Sequence, residues 1–556
     1  MEITPLEVYI EEVLAQTQRL LGLMDRNPMS ATYGCFDRQY WQYNVTDVPS
    51  VRCQEAVLTL TLLYTINHGK NPYYQNKLIL KWIHACLNFW VKIQERNGSF
   101  NEWYPKENSY VATAFSCYAV SETLLILENR LNNRLEVTEA LKKACNWLLK
   151  NNEQRVLNQE SGATMALLNL YLLTGDSLYK KESEKKVAFL KSKQNIESWW
   201  KEYDGPDIGY LSLTIDYLAK YYQKEKNDDV LKMLEGALEF ISYFVHPNFT
   251  FGGEYGSRNT EYMIPSGFEY LASTNENAHA ISQAVRTAIL NKTTISPFSL
   301  DDRYLTYITY TWLQGYINAK PILKSSNEKS NKDLQYKHHL EFTKNFKEAK
   351  LLIRSTKDFY LIVNYGKGGS FKLFRKNNSS NCLPVYDSGI IVNLDAENLT
   401  SGIKEEGNQA EFTENTITIS GNLVKMKSNT LTPGKNLLVR GFQFTAGRSE
   451  KVSMFFKEKM RDRLITKNLT SNIKFSRKIT VQQDEIIVED SIQDSEQIKK
   501  IIIGGKFACI YTPSSKYFQI SESKNIYEEY TRKDLTTELT DRKNNLIKVR
   551  SFRIKP

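Results

Sequence analysis

Residues 158–176 read NQESGATMALLNLYLLTGD, a polar, glycine-bearing stretch that runs into an apolar segment, Ala163–Leu173, and stops at Thr174-Gly-Asp176. The apolar segment offers almost no polar face, as expected of a helix packed on both sides. The same composition returns along the first 320 residues, in Gln54–Ile66, Leu78–Ile93, Val111–Leu127, Thr138–Leu149, Leu211–Tyr222 and Val230–Phe244. Between these runs lie aromatic, polar, glycine-bearing loops at 36–50, 97–110, 153–162, 198–210 and 248–265. Their centres are roughly 50 residues apart, the length of two helices and two connections. Helix pairs repeated at that interval close into an (α/α) toroid of inner and outer helices, with alternate loops on one rim. The loops account for five to six pairs, an incomplete ring. A helical solenoid is the open-ended alternative.

The helical pattern ends near Lys320-Pro321, and Ser325–Asp333 is polar without periodicity, the composition of a linker. Past it come short β-type runs broken by Gly, Asn and Asp: Phe359–Asn364, Gly389–Asn393, Thr416–Ile419, Leu437–Phe444, Ile486–Glu489 and Ile501–Ile503. Strands in series without intervening helices predict an antiparallel β-sandwich. The expected architecture is α+β and multidomain: a toroid over 1–325, a linker over 326–340 and a sandwich over 341–556. A chain of 556 residues needs such a division, because single cores stop growing near about 250–300 residues.

Composition narrows the function. Hydrophobic content of 41% with 24% charged residues is that of a soluble globular protein. The net charge of +10 is spread along the chain without a basic tail or helix, which argues against nucleic acid and suits an anionic polysaccharide or oligosaccharide. The 33 tyrosines suit sugar faces, although an A/T-rich coding sequence raises Tyr, Asn, Lys and Ile together. Seven cysteines without a CxxC pair or metal-ligand spacing read as buried thiols of a reducing compartment. The first 24 residues form an acidic amphipathic helix rather than a signal peptide, and no apolar run reads as a membrane span, so a cytoplasmic protein without membrane insertion is expected. No Gly-rich phosphate loop, zinc signature or nucleophile elbow occurs, and the single Asp301-Asp302 pair is poor support for a metal–diphosphate site. No metal or other cofactor is expected. Oligomeric state is not readable from these features.

The in-phase loops hold the candidate chemistry. The first carries Trp41 and leads to Arg52, the second carries Glu102 and Trp103, and the third opens on Asn158. The fourth, Trp199–Tyr210, holds Tyr203, Asp207 and Tyr210. The fifth interleaves three glycines with Glu254, Tyr255, Arg258 and Asn259, and glycine lets backbone approach a ligand closely. Aromatic platforms beside Asp, Glu, Asn and Arg form a vocabulary for holding a carboxylated sugar. Trp103 and Trp199 also suit hydrophobic plugs at helix ends, and Asp207 suits a helix cap.

The order of toroid and sandwich, with Asn158–Asp176, resembles the heparinase II/III-like polysaccharide lyases and their alginate-lyase relatives. The likeness extends to Gly366–Lys372 (GKGGSFK) and Leu438–Phe442 (LVRGF). It implies that Asn158 neutralises a uronate carboxylate and that Tyr210, or else Tyr203, is base and acid. That family also uses histidines, often one from the β domain. The six here are His68, His84, His246, His279, His338 and His339; none follows residue 340, and His246 alone stands beside a polar loop. The implied activity is β-elimination on a uronate-containing polysaccharide, with Arg258 joining Asn158 at the carboxylate and His246 as a further candidate. Glycoside hydrolysis is one alternative, needing two carboxyls about 5–9.5 Å apart from Glu102, Asp207 and Glu254. A non-catalytic or biosynthetic role, binding an exopolysaccharide or epimerising a uronate, is another.

Overall fold

The computed structural model describes residues 6–325 and, from 335 to 553, all but 377–383, 396, 427–431, 450–451, 454, 457–458, 460–467, 483–484, 494–495, 506–522, 524–526, 532–533, 535–539 and 542–544. Of the expected linker, 326–334 lie outside the described residues, as do Cys382 and Cys509.

The first half contains α1 (Val8–Gly22), α2 (Arg38–Trp41), α3 (Ala56–Thr65), α4 (Lys77–Lys92), α5 (Tyr110–Leu127), α6 (Arg134–Lys150) and α7 (Asn158–Thr174). It continues with α8 (Ser177–Lys193), α9 (Ile208–Lys224), α10 (Asp228–Ser242), α11 (Ser266–Leu271), α12 (Glu276–Leu290), α13 (Asp302–Ile308) and α14 (Tyr310–Ser325). Helices α3, α5, α7, α9, α11 and α14 pack side by side in that order, and α14 packs back on α3. Their outer partners are α4, α6, α8, α10, α12 and α1. The ring expected to be incomplete is therefore closed, with six pairs. The missing pair is α1 with α14, which stand at opposite ends of the helical half and meet only in space.

The two rings differ as burial requires. Inner helices α3, α5 and α7 are buried on nearly every side, whereas outer α4 and α10 keep a polar face. Several helices start at a capping side chain: Asn76, Ser109, Asp207, Asn227 and Asn275 each accept a first-turn backbone N–H. Contrary to the sequence reading, Tyr110–Arg130 is long and apolar enough to cross a membrane; 78% of that window is buried inside the toroid.

In the second half, β1 (Phe342–Phe346), β2 (Leu351–Ser355), β3 (Phe359–Asn364), β4 (Ser370–Arg375) and β5 (Val385–Asp387) form an antiparallel sheet in chain order. The second sheet comprises β6 (Ile390–Leu394), β7 (Asn398–Thr400), β8 (Gln409–Phe412), β9 (Thr416–Lys425), β10 (Thr470–Val481) and β11 (Glu485–Gln493). It is completed by β12 (Ile498–Ile503), β13 (Glu528–Thr531), β14 (Thr540–Asp541) and β15 (Asn545–Arg553). Its order is β13-β12-β6-β7-β9-β10-β11-β15-β14, with β8 also on β9. One expected strand is a helix: Leu437–Phe444 lies in α15 (Pro433–Phe444). Thr432 caps it and a proline opens it, a start signal that outweighs the apolar residues read as β.

The first sheet is buried on both faces, and the alternation of its side chains shows why. Leu351, Ile353, Tyr360, Ile362 and Phe374 belong to the core of the toroid, while Leu352, Leu361, Val363, Phe371 and Leu373 belong to the core between the sheets. A buried ion network ties the two sheets together. Arg477 on β10 reaches Asp490 on β11 at 2.6 Å and Asp387 on β5 at 2.8 Å, and Arg550 on β15 reaches the same two carboxylates. At the seam with the toroid, the Tyr360 hydroxyl donates to Tyr243 O at 2.5 Å, and the amides of Glu348 and Ala349 donate to Glu197.

Candidate functional site

Three segments meet on one rim of the toroid: the entry to α7, the loop entering α9, and the fifth loop. Two buried carboxylates join them. Glu202 accepts the backbone N–H of Asn158 at 3.0 Å and its Nδ2 at 2.7 Å, and the Glu202 carbonyl accepts the Ser257 hydroxyl at 2.8 Å. Asp207 caps α9 by accepting from Tyr210 N at 3.3 Å. It also accepts from the backbone N–H groups of Arg258 (2.9 Å) and Thr260 (3.4 Å) and from the Thr260 hydroxyl. Asn158, Tyr210 and Arg258 thus stand on one hydrogen-bonded frame despite their separation in sequence.

Glycines allow the close approach. A Cβ on Gly209 would stand 2.4 Å from Thr260 Oγ1; the Gly209 N–H instead donates to that oxygen at 2.8 Å. Gly252 has φ +57°, and a Cβ there would lie 2.0 Å from Thr260 O. Tyr203 and Asn259 also adopt left-handed backbone, at +65° and +58°. Such strain is uncommon for a bulky residue like Tyr203 and clusters at functional sites.

The Arg258 guanidinium lies 3.8 Å from the centre of the Tyr203 ring, while half-buried Tyr210 meets Tyr262 edge-on at 6.3 Å. Burial, only partly opposed by the bonds from Asn158, pushes the Glu202 carboxyl well above the usual range. A second polar group packs beside Phe115, whose ring stacks on Tyr217 at 5.2 Å. Arg52 pairs with Glu55 at 2.7 Å and stands over Phe115 (4.9 Å) and Tyr307 (4.1 Å). Arg303 donates to the Tyr307 hydroxyl at 2.6 Å and lies 3.9 Å above Trp103, which is 56% exposed. Burial raises Glu55 to about 7 against the pull of Arg52.

Other predicted residues are placed differently. The half-buried Trp41 donates its indole N–H to Leu23 O at 2.8 Å. Glu102 is buried, its N–H bound by Glu107, and electrostatically coupled to Arg52 and Arg303. His246 is fully buried behind the fifth loop, one ring nitrogen on Thr250 Oγ1 and the other on Tyr255 OH, both at 2.8 Å. His246 and Tyr255 therefore brace the loop from within the core, where the His246 ring stacks on Phe374 of β4 at 4.6 Å. Glu254 lies 3.3 Å from Lys372, and Asn259 accepts from Lys367. The Asp301-Asp302 pair is structural: Asp301 caps α13 and Asp302 pairs with Arg19 at 2.7 Å.

Sequence reasoning did not select Glu202, Arg303, Tyr307 or Lys367. The helix-pair interval points to the first three only weakly: Arg303 and Tyr307 fall about one further repeat past the fifth loop. Among the described residues no group of three or more His, Cys, Asp or Glu is placed to hold a metal ion. A cavity of about 390 Å³, lined by Tyr222, Lys226, Leu238 and Tyr270, lies at the opposite end of α9 and shares none of these groups.

No family model and no curated protein matches the sequence. Among solved structures, the chondroitin AC lyase of Streptomyces coelicolor A3, in complex with chondroitin sulphate, is similar at a TM-score of 0.55 and 9% identity, over 90% of this chain and 69% of that one. A mutant of that enzyme gives 0.52 at 8% identity over the same shares. Heparinase III reaches 0.41 at 10% identity, over 90% of this chain and 81% of its own. At such identities the likeness to the chondroitin lyase concerns the fold alone. This chain has the fold of a polysaccharide lyase, a helical toroid followed by an antiparallel β-sandwich.

Proposed function

We propose that this protein cleaves a uronate-containing anionic polysaccharide by β-elimination. The observation that carries the reading is the grouping of Arg258, Asn158, Tyr203 and Tyr210 around the Glu202–Asp207 frame. The C5 proton of a uronate becomes acidic when the adjacent carboxylate is neutralised. Arg258 supplies the charge, and Asn158 has a second amide N–H besides the one donated to Glu202. Tyr210 takes the C5 proton on its phenolate oxygen, the C5 electrons form the C4–C5 double bond, and the C4–O bond breaks as Tyr210 gives that proton to the leaving oxygen. Tyr203, against the Arg258 guanidinium, is the alternative base. Trp103 under Arg303 offers a ring face for a neighbouring sugar.

Hydrolysis is less well supported by the same geometry. Of its three candidate carboxyls, Asp207 already accepts from several donors, Glu254 is paired with Lys372, and Glu102 is buried beside Glu107.

Incubation with heparan-, chondroitin-, alginate- and pectin-type polymers should raise ultraviolet absorbance from the conjugated product. Tyr210→Phe should lower kcat about 10²–10⁴-fold with little change in binding. Retained turnover in Tyr210→Phe together with loss in Tyr203→Phe would move the base to Tyr203. A flat trace across all four polymers refutes the elimination.

A further inference from the structure

The fifth loop is gripped from outside the toroid. The turn between β3 and β4 delivers Lys367, only 6% exposed. Its Nζ donates to Glu254 O at 2.6 Å, Gly256 O at 2.9 Å and Asn259 Oδ1 at 2.7 Å. Three acceptors match the three N–H bonds of an ammonium. The grip is itself fixed: Asn364 accepts the Lys367 backbone N–H at 3.0 Å and donates its Nδ2 to Tyr255 O at 2.6 Å. Lys372 on β4, also buried, stands between Glu254 (3.3 Å) and Glu261 (3.5 Å). Arg258 therefore sits on a stretch of backbone held at Asp207 by the toroid and at Lys367 by the sandwich.

We infer that Lys367 is a positioning residue for Arg258, so that the toroid's anion-binding geometry depends on the docked sandwich. The inference rests on the reading that Arg258 meets the substrate carboxylate. Lys367 acts through the loop and does not touch substrate, because its ammonium is turned into two carbonyls and an amide. A three-way grip on carbonyl oxygens needs a compact point donor, which the planar fork of arginine does not supply.

The test uses the full chain with Lys367→Met, Asn259→Gly and Arg258→Gln. Asn259→Gly keeps the left-handed backbone and removes one acceptor of the grip. Hydrogen exchange over 252–261 should accelerate about tenfold or more in Lys367→Met, and less in Asn259→Gly, with α5 and α7 unchanged. Calorimetric affinity for a uronate tetrasaccharide should fall in Lys367→Met to the level of Arg258→Gln, and the double variant should be no weaker than Arg258→Gln. Additive losses in the double variant overturn the inference, as does loop exchange in Asn259→Gly equal to the parent. The second criterion holds even if Lys367→Met loosens the whole molecule. If the parent protein binds no uronate oligosaccharide, the substrate reading fails, while the exchange data still judge the anchor.

Discussion

Asn158 and Glu202 show how one pair of residues can set a site. The Glu202 carboxyl is buried and pushed toward its protonated form by desolvation, yet it holds two N–H groups of Asn158. The two oxygens accept separately, so an amide would keep one acceptor and turn a donor toward the other N–H, while an alanine would leave both N–H groups without an acceptor. Glu202→Gln should lose about 1–3 kcal/mol of unfolding free energy by orphaning one buried donor, and Glu202→Ala should lose more by orphaning both. Urea titration of the two variants checks the order, and a Gln variant as stable as the parent would show that a single acceptor suffices. The same residue shows a limit of reading types: residue type alone does not single out Glu202 in its loop, and burial makes it central.

Among the elements, the turn Lys337–His339 packs where the strands meet the helices. His338 is buried, stacks on Tyr336 at 5.2 Å and places Nδ1 3.1 Å from Val245 O. Burial, with His339 adding repulsion and the Val245 carbonyl opposing, lowers its pKa from 6.5 to about 3. The folded state therefore keeps this ring neutral where the unfolded chain protonates it. Stability from His338 is fully present above about pH 6.5 and drains as pH falls toward 3, by at most about 4–5 kcal/mol. His338→Phe should flatten that part of the acid dependence. Comparing unfolding free energies of parent and variant at pH 7 and 4.5 tests this, and parallel losses would clear His338 of the role. The sequence reading assigned this segment to a linker because its polar residues carry no periodicity; its histidines pack only because the sheet lies against the toroid.

At the scale of the molecule, helices and strands share a core. The first sheet contributes Ile353, Tyr360, Ile362 and Phe374 to the same apolar cluster as the toroid helices. The whole chain should therefore unfold in one calorimetric transition, with a ratio of van't Hoff to calorimetric enthalpy near unity. Two resolved transitions would show that the seam does not couple the halves. A fragment ending at residue 325 should expose Phe240, Tyr243 and Phe244, which pack on Phe342 and Phe346, and should bind a hydrophobic dye.

Local pattern alone was enough for the change from helix to strand, the phase of the five loops and the separation into two architectures. Periodicity reports which face of an element is apolar, and that is a property of neighbours in the chain. It was silent on ring closure by α1 and α14, on the pairing of Asn158 with Glu202, on the retreat of His246 behind its loop and on the reach of Lys367 across the seam. Each of these joins residues dozens to hundreds of positions apart, and such contacts exist only once packing has brought the surfaces together.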